Sequence, residues 1–507
     1  MKKWLAIGLT LVMLLSGAVT ASAAPYMLDM YWIGNGDTDA RYAVEEAINA
    51  YIEPLIDANI TFHIIGWGDW VNKALTSLQT GEKADIFFTA DWEFYMRTVR
   101  QELFLPLSDP NSEYGDLLAL YGKDILASLS PSFILGSQID GINYAVPTNK
   151  ELCVPNGWVF NVDIAAELGF DPAVITEPTR DYSTIEPYLA FEPYLEKFLE
   201  LYPDRYPLVT DGGDGRGPWV PNFADGIDEV IGVKWNPEMD GSWDETIYSK
   251  WESDIHVEFA KKMYDWNQRG FINPDAVMEG YTDDALNQGY AFIQAMPLKG
   301  DNIKAFELMN ASGNPDLVLQ EIYGNMKVAQ TQDTGGSMFA IPSTSEDPVK
   351  AMQFINLMHS DPVLVNMLLY GVPEVHWELE ADERVNILDA NWYGAHAGAW
   401  TVGDVLLQYV TNKEDPAKNR MLVDYADDAI SHFSLGFRFD QTPVNDEIAA
   451  MRSLITGYNR AILTGSVDPE TAIPEYLGLL KDAGLDKVIA EVQAQYDTWK
   501  AAKAGNE

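Results

Sequence analysis

Tryptophan and aspartate recur side by side in the first hundred residues: Trp67 with Asp69, and Asp91 with Trp92, with Trp32 upstream. An indole offers a flat apolar face, and a carboxylate offers hydrogen-bond acceptors. Together they suit a polyhydroxylated ring such as a pyranose, whose apolar face stacks on an aromatic while its hydroxyls seek carboxylate or amide partners. The chain carries 15 Trp and 25 Tyr, so many rings must serve as core, and position has to discriminate.

The elements around these residues read as α/β. Tyr26 to Ile33 is a strand that ends at Gly34-Asn35-Gly36, Ile60 to Ile65 a second that ends at Gly66-Trp67-Gly68, and Ala84 to Phe88 a third. Between them Val44, Ile48, Tyr51, Ile52 and Leu55 recur at helical spacing. A second helix starts at Asp69 as N-cap, carries Val71, Ala74, Leu75 and Leu78, and stops near Gly81. Strand-helix repetition at this spacing predicts parallel βαβ units, in which ligands bind beyond the carboxyl ends of the strands. Trp32, Trp67, Asp69, Asp91 and Trp92 all fall at such ends.

The compositional evidence narrows the class. Lys plus Arg is 33 and Asp plus Glu is 77, a net charge of −44, which repels nucleic acid and anionic membranes and favours solubility. Lys2, Lys3, the apolar run Trp4–Leu15 and Ala21-Ser22-Ala23 form a secretory signal pattern, with cleavage expected after Ala23. The one cysteine, Cys153, excludes an intramolecular disulfide and is not placed to take a lipid at the cleavage site. The expectation is an exported protein with no lipid anchor and no direct membrane span after cleavage, periplasmic or extracellular.

Catalytic signatures are missing. None of the six histidines forms H-E-x-x-H, and no Gly-x-Ser-x-Gly elbow occurs. The glycine-rich stretch Val209–Phe223 lacks the Lys-Ser/Thr ending of a phosphate loop. Its Asp211 and Asp214, with Asp225, do not match an EF-hand, and turn chemistry accounts for them equally well. No catalytic residue, metal or cofactor is therefore expected. A secreted glycoside hydrolase needs only two well-placed carboxylates, so that reading stays open. A surface-structure protein would show repeats or an all-β rhythm, and neither is visible.

Several stretches resemble the extracellular solute-binding proteins of ABC importers, in the carbohydrate-associated branch with a C-terminal helical module. "LQTGEKADIFF" (Leu78–Phe88) is similar to their aspartate-bearing strand, and "DGINYAVPTNKE" (Asp140–Glu151) to the hinge strand leaving the first lobe. "NGWVFNVDIAAELGFD" (Asn156–Asp171) resembles the entry to the second lobe, and "GGSMFAIPSTSEDPVKAMQFINLMHSDP" (Gly335–Pro362) the return crossing, which "YGVPEVHWE" (Tyr370–Glu378) continues. The tail from Asp446, with Gly465–Glu470 and Lys481–Lys500, resembles the helical module. Independently of the resemblance, Ser345 can cap a helix bearing Val349, Met352, Ile355 and Met358, and Ile448 to Ile462 repeats at helical spacing.

The resemblance implies a two-lobed periplasmic-binding-protein type II fold with interleaved lobes, a small-molecule solute that is usually a sugar, ABC importer membrane subunits as partner, and a monomer. It places lobe one at 24–147 with a return segment at 328–375. Lobe two is expected at 148–327, with its remainder and the C-terminal helices at 376–507. Tyr144, Asn149 and Glu151 then fall on a hinge strand, and Lys299 at a second-lobe strand end. Trp219 is an aromatic on a loop, where binding residues gather. A cationic or peptide solute stays open, given the acidity. N-terminal sequencing of the exported protein is expected to begin at Ala24; a start at Met1, or a retained lipid, would overturn the export reading.

Overall fold

The computed structural model describes residues 24–154, 156–175, 185–210, 227, 229–235, 243–278, 284–314, 316–324, 327–427 and 429–506. The expected cleavage site, Trp219 and the aspartates 211, 214 and 225 lie outside them.

The N-terminal alternation forms as expected: β1 (Tyr26–Gly34), α1 (Ala40–Ile56), β2 (Ala58–Gly66), α2 (Trp70–Thr80) and β3 (Ile86–Thr89). β1 lies parallel to both β2 and β3. Val44, Ile48, Ile52 and Ile56 form the buried face of α1. α2 ends at Gly81, whose φ of 78° is a left-handed cap that glycine adopts without steric cost. Its buried face is Trp70, Ala74, Leu75 and Leu78, whereas Val71 faces solvent. Phe87 and Phe88 of β3 are fully buried, each worth roughly 1.5–3 kcal/mol of transfer free energy.

Strand Met338–Ala340 enters this first sheet antiparallel between β3 and Ala145–Pro147. The five strands therefore run β2, β1, β3, Met338–Ala340, Ala145–Pro147. A second sheet holds Leu319–Tyr323, Asn156–Asn161, Ile293–Pro297 and Leu208–Val209 in that order. The chain thus leaves one sheet after Pro147, builds the other, and returns to the first: an α/β fold of two interleaved lobes.

Helices Asn445–Leu463, Pro469–Asp482 and Leu485–Asn506 follow at the C-terminus. Ile448, Met451, Ile455, Ile462, Leu480, Val488 and Val492 share one core with Ile231, Val233, Trp251 and Ala260. Among the described residues no helix is long and apolar enough to cross a membrane.

Two details depart from the sequence expectations. Helix Pro348–Met358 is capped by Asp347, which accepts from the Lys350 amide, and not by Ser345, whose hydroxyl donates to Asp85 at 2.6 Å. The stretch after 376 does not all join the second lobe: Trp377, Val385, Trp392, Ala395 and Val402 pack into the first-lobe core. Apart from the short antiparallel strands Trp377–Leu379 and Val385–Ile387, this stretch is irregular and has no period to announce the face it buries.

Among the buried imidazoles are His256, His359, His396 and His432. Burial lowers them to about 3, 3, 4 and 3 respectively. Each stays neutral in the fold and takes up a proton on unfolding below about 6.5, so its stabilising share is complete above that pH and shrinks as pH falls. Glu321 and Asp333, raised by burial to about 7, act in the opposite sense, as do Asp91 and Asp404, which burial also raises. The imidazole contribution to stability is expected to fall between pH 7 and pH 5. His359→Asn should flatten that slope by about 1.4 kcal/mol per pH unit; an unchanged slope in urea titrations at several pH values would contradict it.

Candidate functional site

The carboxyl ends of β2 and β3 bring Trp67 and Trp92 together. Trp67 follows β2, and its amide donates to the Gly34 carbonyl at 2.9 Å. Trp92 follows β3, and its indole N–H donates to the Gly336 carbonyl at 2.7 Å. A third ring, Trp400, completes the group: all three centroid separations are 6.2 Å, with Trp67 within 29° of parallel to Trp92 and within 21° to Trp400. Phe88 packs beneath Trp92 and Trp400. Trp67 is 44% exposed and Trp92 38%, which leaves an apolar platform open to solvent.

Trp32 is not part of it. The ring is fully buried, stacks on His396 at 4.4 Å and donates to Thr401 Oγ1 at 3.0 Å. β1 is the middle strand of its parallel trio, and from Met30 to Ile33 its side chains are buried on both faces. Trp32 supports the turn that carries Trp400.

Beside Trp400 opens a cavity of about 630 Å³. Tyr393 and Trp400 line it from the first-lobe loops, Glu151 and Val405 from the crossing, and Lys299, Glu307 and Lys418 from across the gap. Asn386, Thr411, Asn412 and Asn419 add amide and hydroxyl groups. Three ion pairs sit at its wall, Lys299 with Glu307 at 2.7 Å, Glu151 with Lys150 at 3.0 Å, and Lys418 with Glu414, and Lys413 lines it as well. Burial would raise the Glu151 carboxyl, but Lys150 and Lys299 outweigh it and hold it below the usual range. Glu414 is held low in the same way by Lys418. Burial pushes the Tyr393 hydroxyl up to about 12, so it stays a neutral donor.

The remaining expected site residues lie elsewhere. Asp69 is exposed and pairs with Lys73 at 2.8 Å. Asp91 is buried and forms an ion pair with Arg438, so a solute does not reach its carboxylate. Tyr144 packs on the first-lobe core, outside the cavity lining. Asn149 is buried at the crossing: its amide donates to the Gly403 carbonyl, its side chain to Asp404 Oδ1, and its carbonyl accepts from Val405. It fastens two chain segments together from a buried position outside the cavity lining.

Sequence reasoning missed Trp400, Tyr393 and the Asn386–Asn419 groups. Their only signal was an aromatic, glycine-bearing stretch, Asn391–Trp400, without periodicity.

Residues 35–363 match a family model described as bacterial extracellular solute-binding protein, and residues 433–501 one described as a domain of unknown function. A carbohydrate ABC transporter substrate-binding protein of Streptococcus pneumoniae serotype 4 is 28% identical over 480 residues, covering 93% of this chain and 90% of that protein. The crystal structure of the N-glycan transport solute binding protein NgtS from Streptococcus pneumoniae matches with a TM-score of 0.76 at 25% identity, covering 94% of this chain and 100% of that one. Its complex with Man5GlcNAc matches at 0.68 and 26%, covering 94% and 99%.

Gly403 marks the tightest point of the crossing. Its φ is 49°, and a Cβ there would sit 1.9 Å from the Met358 carbonyl oxygen. Gly403→Ala is expected to cost at least about 1–3 kcal/mol, read as a lowered urea midpoint; an unaltered midpoint would show that the crossing can relax.

Proposed function

The chain belongs to the bacterial extracellular solute-binding proteins, and on that premise we propose that it captures a carbohydrate between its lobes and delivers it to an ABC importer. The observation that carries the reading is the half-exposed Trp67–Trp92–Trp400 platform, whose Trp400 also lines a cavity rich in amide, hydroxyl and carboxylate groups. Indole faces stack on the apolar faces of sugar rings, while polar groups at the cavity wall orient the hydroxyls. The similarity to a protein titled as an N-glycan transport solute binding protein supports the same class.

The three tryptophans serve as stacking surfaces, and Glu151, Lys299, Tyr393 and Asn386 as hydrogen-bonding partners. The cavity lining holds three lysines and three glutamates, and each of the glutamates is in an ion pair. That balance favours a neutral glycan over a polyanionic or cationic one, because a charged ligand would have to break a buried pair. Residues 24–147 and about 331–410 make up lobe one and the rest of the chain from 148 lobe two, with hinge closure around the solute. Export through a leader ending at Ala23 and a monomeric state complete the proposal. Catalysis plays no part in it.

The test is thermal unfolding against neutral oligosaccharides, oligouronates, polyamines and peptides. A ligand at 100 times its dissociation constant adds about 2.7 kcal/mol of stability. A saturable shift with a neutral glycan, recovered intact, is the expected result. A shift only with a polyamine or peptide would sink the sugar reading, and cleavage of the glycan would sink the capture reading. Trp67→Ala, Trp92→Ala and Trp400→Ala should each weaken binding by about tenfold or more, measured by calorimetry; unchanged affinity in all three would remove the platform from the site.

A further inference from the structure

The segment that opens the 433–501 region reaches back to the first lobe. Phe437 and Phe439 are buried in the core shared by the C-terminal helices, with Phe437 against Tyr496 and Trp499. Arg438, between them, points the other way, with its side chain 9% exposed. It forms an ion pair with Asp91, donates from Nε to the Gln138 carbonyl at 3.0 Å and from Nη2 to the Gly136 carbonyl, and lies 5.2 Å from the Tyr95 ring centroid.

Asp91 immediately precedes Trp92 of the platform. Its amide donates to the Gly335 carbonyl at 2.8 Å, and a Cβ on Gly335 would meet its carboxylate at 2.0 Å. Trp92 is fixed through Gly336, the next residue. The glycine pair, the aspartate and the indole therefore form one unit, closed from below by Arg438. A guanidinium is suited to this, since its fork can hold a carboxylate and two carbonyls at once.

We propose that Arg438 is a positioning residue for the tryptophan platform: through Asp91 it fixes Trp92, and so gives the 433–501 region a part in solute binding. The binding half of this proposal rests on the carbohydrate reading; the anchoring half does not. Arg438 touches no solute. It sets the ring that does, and it ties the platform to the C-terminal module.

Two readouts on the full chain separate those halves. In the chain labelled with fluorotryptophan, the fluorine resonance of Trp92 is assigned by its loss in Trp92→Phe. Arg438→Met is expected to shift or broaden that line, and Arg438→Lys to restore it in part. Leu480→Ala, in the module core, should lower the melting temperature and leave the line in place. Where Arg438→Met alone leaves Asp91 charged, buried and unstable, the double variant Asp91→Asn with Arg438→Met removes both charges and carries the same expectation. An unchanged Trp92 line in both the single and the double variant overturns the proposal. Calorimetry with Man5GlcNAc as probe should show about a tenfold loss of affinity in Arg438→Met and none in Leu480→Ala. Equal affinity in the parent and Arg438→Met overturns the binding role. A parent chain that binds no glycan removes the carbohydrate reading and the binding role with it, while the fluorine spectra still judge the anchor.

Discussion

Strand Met338–Ala340 lies between β3 and Ala145–Pro147, antiparallel to both. The first sheet is therefore incomplete until the chain has built the second lobe and come back. That constraint decides the rest. It forces crossing segments to run close together, and Asn149 and Gly403 fasten them by backbone and side-chain hydrogen bonds. It also brings Gly335 and Gly336 beside Asp91 and Trp92, where no bulkier residue than glycine fits against the carboxylate.

The platform inherits its order from this core. Phe88 supports two of its rings from below, and Trp32 holds the turn that carries the third. Exposed aromatic surface is retained because the fully buried Phe88 braces Trp92 and Trp400, and Trp67 stacks on both. On the polar side, the cavity groups are paired before any solute arrives, which limits both the desolvation a neutral ligand imposes and the reorganisation it requires. The large net charge of the chain does not reappear inside the cavity, where cations and carboxylates balance.

The C-terminal helices pack on the second lobe through an apolar stripe, yet their leading segment extends an arginine to the first. The module is thus attached to both halves, by apolar burial on one side and by one multidentate charged group on the other.

The regular elements were legible in the sequence because periodicity is a local property. The spacing of Val44, Ile48 and Ile52 and the apolar run before Phe88 announced the βαβ units, and Trp67 and Trp92 followed from their places at strand ends. Lys299 and Glu151 came into view only through resemblance. Trp32 and Asp91 shared the same positional logic, and Asn149 came from the resemblance, yet they proved to be core, ion pair and crossing bond, because neither a strand end nor a hinge position states which face is covered. Asp91 depends on Arg438, and Trp67 on Trp400, partners more than three hundred residues away. The sequence by itself determined the fold class, the strand ends and the amphipathic helices, all set by neighbours a few residues apart. Which tryptophans remain open and which carboxylates are already paired was decided only by tertiary structure, since burial and ion pairing depend on contacts that no local pattern encodes.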